Sequence, residues 1–105
     1  MVILSACNTA TGDTPRAEGL SGIAKAFLYA GSRALLVSHW QVVSGAALKL
    51  TVGMFEALAV DASIDKSEAL RQSQVALIDD RSQSGKFSHP LYWAPFVLVG
   101  DPRRD

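Results

Sequence analysis

One side chain in this sequence is a ready nucleophile. Cys7, the single cysteine, stands in the stretch Ile3-Leu4-Ser5-Ala6-Cys7-Asn8-Thr9, where an apolar run gives way to polar, flexible residues. A cysteine attacks as its thiolate, and a histidine or a helix N-terminus nearby favours that form. The chain holds two histidines, His39 and His89. His39 lies between Ser38 and Trp40, just past a second apolar run. His89 precedes Pro90 in a polar loop, where organising a turn before Tyr92 and Trp93 accounts for it. A free cysteine is also among the commonest fully buried residues, so residue type alone leaves a structural and a reactive thiol both open.

Several chemistries are excluded. A cysteine phosphatase needs an arginine six residues after its thiol to clamp phosphate, and Asp13 stands there. A zinc centre needs several Cys or His at short spacing, which one cysteine and two distant histidines do not supply. The sequence has no Gly-x-Ser-x-Gly elbow and no Gly-x-x-x-x-Gly-Lys loop, and Gly12 and Gly19 are too far apart for a dinucleotide fingerprint. No cofactor or metal is therefore expected. Ten Lys plus Arg balance ten Asp plus Glu, so no net field draws the chain to nucleic acid or anionic lipid. A lone cysteine makes no internal disulfide, which points to a reducing, cytoplasmic setting. No apolar stretch is long enough to span a bilayer. Leu4-Ser5-Ala6-Cys7 resembles a bacterial lipobox, but only Met1, Val2 and Ile3 precede it. The apolar h-region of a leader is missing, so no membrane anchor is expected.

The elements that must position these residues follow from periodicity. The 105 residues suffice for one small domain, and 49% apolar content fits a packed core. Residues 2–6 and 34–38 are continuous apolar runs, typical of strands buried on both faces of a parallel sheet. Leu20, Ile23, Ala24, Phe27 and Leu28 recur at helical spacing between about Glu18 and Ala30, and Gly31 stands where a left-handed helix cap belongs. Ser44 is placed to cap a helix over residues 45–60 that presents Leu48, Val52, Phe55 and Leu58 on one face. Asp65 and Glu68 have capping-box spacing for a helix running to about Asp80. Residues 81–90 are expected to be an exposed loop, and Phe96-Val97-Leu98-Val99 a third strand. The order β-α-β-α-α-β calls for an α/β layered fold, with residues 2–6 and 34–38 as parallel neighbours. An apolar first strand needs cover on both edges. The third strand flanks it, another chain does, or part of the domain is absent.

Four stretches together resemble a known family. "VILSACNTATGD", "EGLSGIAKAFLYAGSRALLVSHWQV", "EALRQSQVAL" and "HPLYWAPFVLVGD" occur in the order found in the C-terminal half of a CHAT domain, the caspase-like peptidase domain often attached to tetratricopeptide repeats in bacteria. The resemblance implies a caspase-like three-layer sandwich, of which residues 1–105 supply part of a mostly parallel sheet with flanking helices. It implies a cysteine endopeptidase in which Cys7, in "LSACNT", is the nucleophile. The family's base is a histidine in a "THG"-like motif on a preceding strand, which these 105 residues do not contain. Half of the oxyanion hole belongs to that motif too. Ser38, His39 and Trp40 match a "SLW"-like stretch that shapes the substrate pocket, with His39 where the family usually has an apolar residue; His39 is expected to wall the pocket and not to act as base. The family's acidic pair, roughly "WxVDD", is replaced by Val43 and Ser44, so no basic cleavage residue is inferred. The implied partners are a protein or peptide substrate, a tetratricopeptide-repeat region and the histidine-bearing half of the domain. The alternative is an inactive caspase-like module that binds proteins without cutting them.

Overall fold

A computed structural model of the chain describes residues 1–3, 22–39 and 42–103. The order of elements is β1 (Val2–Ile3), α1 (Gly22–Tyr29), β2 (Ala34–Ser38), α2 (Ser44–Val60), α3 (Lys66–Ile78), a 3-10 segment (Ser82–Ser88), α4 (Pro90–Trp93) and β3 (Phe96–Gly100). The described residues divide into two compact units, one holding the strands and α1, the other the remaining helices.

In the first unit the described strands form one sheet in the order β1-β2-β3. β1 runs parallel to β2, with Val2 opposite Leu35 and Ile3 opposite Leu36, as the β-α-β order requires. All five residues of β2 are buried, which matches its unbroken apolar run. Val2 and Ile3 are only half-buried, less than a strand covered on both faces would be. Ala24 of α1 is buried with Leu35 and Val37, and Val2, Leu28, Val97 and Val99 pack around them. Strand residues two apart share a face, so these residues define the face on which α1 lies.

The expectation of a mostly parallel sheet is corrected, because β3 pairs antiparallel to β2, Ser38 opposite Phe96 and Ala34 opposite Gly100. The reason lies at the turn into β3. The His39 N–H donates to the Pro95 carbonyl at 2.9 Å, so the chain enters β3 where β2 stops and must run back along it. The sheet is mixed, and β3 flanks β2, not β1.

α1 ends as its sequence predicts. Gly31 has φ +103°, the Ser32 N–H bonds the Phe27 carbonyl at 3.1 Å, and the Gly31 N–H bonds the Leu28 carbonyl at 3.1 Å. This pair of bonds is a Schellman cap, which any residue with a Cβ would strain.

The second unit is built on α2 and α3. Asp65 caps α3, its carboxylate accepting the Glu68 N–H at 2.9 Å, as the Asp65/Glu68 spacing predicts. The cap of α2 is corrected: Val43 occupies that position with no side-chain bond, and Ser44 is already helical. The face of α2 is corrected too. Ala46, Leu50 and Met54 are the buried residues, while of the expected face Leu48, Val52 and Phe55 are exposed and Leu58 half-buried. Small groups let the helices approach: a Cβ added to Gly53 would stand 2.7 Å from Ser73 Oγ, and that hydroxyl donates to the Leu50 carbonyl at 2.6 Å. Residues 81–90 are not a plain exposed loop either. Ser82–Ser88 among them form the 3-10 segment, and Phe87 within it is buried, edge-on to Tyr92 at 5.3 Å between ring centroids. A single aromatic residue in a polar stretch carries no periodicity, which is why its burial escapes a pattern reading.

Candidate functional site

Ser38 and His39 stand at the end of β2 because that strand is five residues long and its ladder with β3 closes at Ser38 and Phe96. Ser38 is buried and His39 exposed. The main chain of His39 is fixed by its bond to the Pro95 carbonyl, and Pro95 itself is fully buried. Its imidazole is open to solvent on an anchored backbone. Pro95 escaped the sequence reading as a contributor to this end of the sheet.

Cys7 and Trp40 lie outside the described residues, as do Asn8, Thr9 and Glu18. The geometry therefore brings together Ser38 and His39 of the four expected site residues. It also fixes the direction of the strand that precedes Cys7 in the sequence. β1 and β2 are parallel, so their carboxyl ends, at Ile3 and Ser38, lie at the same end of the sheet. In open α/β sheets the carboxyl ends of parallel strands are where loops converge to form sites.

The opposite end of the sheet is a clamp. Asp101 follows β3, and its carboxylate takes the Arg103 guanidinium at 2.8 Å and the Arg33 guanidinium at 3.2 Å, while its N–H bonds the Arg33 carbonyl at 2.7 Å. The Arg103 side-chain and backbone bonds, with the Arg33 bond behind them, hold this carboxyl well below the usual carboxylate range. These charges pair with one another at the end of the sheet opposite Ser38 and His39.

His89 is a structural cap. Its Nδ1 accepts the Leu91 N–H at 3.1 Å and its carbonyl accepts the Tyr92 N–H at 3.0 Å, at the start of α4. Tyr92 and Trp93 are packing residues: the indole N–H donates to the Ser88 carbonyl at 3.0 Å, and the Trp93 carbonyl accepts from Gln74. Among the described residues no cluster of three His, Cys, Asp or Glu could hold a metal ion, and no helix is long and apolar enough to cross a membrane.

A parallel β1/β2 pair, the helices α2 and α3 and an antiparallel last strand are the described features to set against known families. The CHAT domain matches residues 1–101, and the chain belongs to that family. Among curated proteins it is 33% identical over 102 residues to tetratricopeptide repeat protein 28 of mouse, a stretch that covers 95% of this chain and 4% of that protein. It is 34% identical over 86 residues to the human protein of the same name, covering 80% of this chain and 3% of that one. The chain thus spans a small fraction of the length of these relatives. No solved structure matches it.

Proposed function

We propose that this chain is the C-terminal part of a caspase-like cysteine endopeptidase domain and carries its nucleophile, Cys7. The observation that carries the reading is the family match over residues 1–101 combined with the parallel β1/β2 pair. They support this reading, in which the "LSACNT" cysteine follows, in sequence, the strand that runs parallel to the one ending at Ser38. In this reading the complete domain is a three-layer sandwich, and Ser38, His39 and Trp40 shape the pocket for the substrate residue before the cut. The thiolate attacks the scissile carbonyl carbon, the tetrahedral oxyanion is held in part by the Cys7 N–H, and the leaving amine takes a proton from a histidine. That histidine is neither His39 nor His89. His89 is committed to capping α4, and His39 sits on the pocket side expected to hold an apolar wall. A histidine-bearing strand outside these residues supplies the base, and a tetratricopeptide-repeat region presents the protein substrate, in the cytoplasm.

Peptidase assays on a protein that joins this chain to a histidine-bearing strand of the family test the reading. Cys7→Ala should abolish peptide cleavage, with a loss of at least about 1,000-fold as for other members of a coupled nucleophile–base pair. His39→Ala should leave kcat within about tenfold and act mainly on KM. Loss of kcat in both variants would make His39 the base and overturn the assignment.

A further inference from the structure

α2 presents an apolar surface on both sides. At 3.6 residues per turn, Leu48, Val52, Phe55 and Ala59 fall on the side of the helix opposite Leu50. Leu50 is fully buried, whereas Leu48 is 64% exposed, Phe55 50% and Val52 43%, and Ala59 is exposed as well. An apolar stripe on the outer side of a helix, beyond the one that faces its own core, calls for a cover. The spacing of the outer residues says by what. They are separated by four, three and four positions, the alternation that packs one helix against another along a narrow seam. Lys49 and Glu56 flank that seam on the same side, seven positions apart.

These two charges make the seam complementary to itself in one orientation only. When two copies of α2 pack antiparallel, the same flank of each helix lies alongside its counterpart, and Lys49 of each copy meets Glu56 of the other. The apolar layers then pair Leu48 with Ala59 and Val52 with Phe55 across the two-fold axis. In a parallel pair this flank would instead face residues 51 and 58, a threonine and a leucine. We propose that α2 is the seam of an antiparallel dimer of this chain, closed by two symmetric Lys49–Glu56 pairs. α2 has 17 residues and is about 25 Å long, so the contact belongs to the small, reversible class of interface. The proposal stands independently of the peptidase reading.

Sedimentation equilibrium on the 105-residue chain, with charge exchange, tests it. The wild type should show a reversible monomer–dimer equilibrium. Glu56→Lys and Lys49→Glu each turn two attractive pairs into two repulsive ones and should weaken dimerisation by roughly tenfold or more. An equimolar mixture of the two variants should restore it, because the mixed pair regains both attractions. Lys49 also bonds Asp80 at 3.0 Å, so thermal melts accompany each variant. Should Lys49→Glu fail to fold, Phe55→Ala replaces it and should weaken dimerisation with little change in melting. A wild type that stays monomeric at about 1 mM, where weak pairs are populated, overturns the proposal and leaves the stripe to a different partner. Single variants that dimerise like the wild type, or a mixture of folded variants no tighter than either alone, overturn it as well.

Discussion

Glu68 shows how much one side chain's surroundings can do at the surface of this chain. Its carboxylate takes two bonds from Arg71, at 2.6 and 2.7 Å, and one from Gln72 at 3.2 Å. The Arg71 hydrogen bonds lower its pKa most and Gln72 adds to them, bringing it from 4.5 to about 2. A depressed carboxyl stabilises the fold fully above its unfolded value, and that contribution is lost as the pH falls through the folded one. The window here runs from about pH 4.5 down to about 2. Carboxyl NMR should find Glu68 titrating well below 4.5, and Arg71→Gln should move its midpoint up toward that value. A midpoint unchanged by that substitution would show that the pair does not form in solution.

At the scale of elements, α2 is where pattern and structure part company. The sequence offers two apolar faces on this helix, Leu48/Val52/Phe55 and Ala46/Leu50/Met54, and periodicity favours the bulkier one. The second unit takes the other face because α3 approaches closely there, at Gly53 and Ser73, and small residues permit it where large ones would not. The prediction at this scale separates the faces. Leu50→Ala should cost about 2–5 kcal/mol, since it opens a cavity in a fully buried position, and Leu48→Ala less than about 0.5 kcal/mol in dilute solution. Urea denaturation of both variants measures the difference, and equal costs would contradict the buried face described here. Other elements were legible because their signals are local. Gly31 announces the Schellman cap, Asp65 with Glu68 announces the start of α3, and the unbroken apolar run of residues 34–38 announces a central strand. The antiparallel sense of β3 was not legible, because it depends on where the chain re-enters the sheet at Pro95, a long-range contact with no sequence period.

For the molecule as a whole, family membership rests on short stretches spread over nearly the entire chain, so a match over residues 1–101 agrees with what the sequence motifs imply. The sequence offers the candidate site as residue types, Cys7 with Ser38, His39 and Trp40; of these the described structure holds Ser38 and His39, at the carboxyl end of β2. The chemistry then depends on whether Cys7 is the group that attacks substrate. Intact-mass analysis after treatment with a peptidyl acyloxymethyl ketone measures this most directly, on a protein that joins this chain to the histidine-bearing strand. The account predicts one inhibitor adduct per chain, mapped to Cys7, with peptidase activity falling in proportion to the modified fraction. Full activity in protein whose Cys7 is completely modified would contradict it.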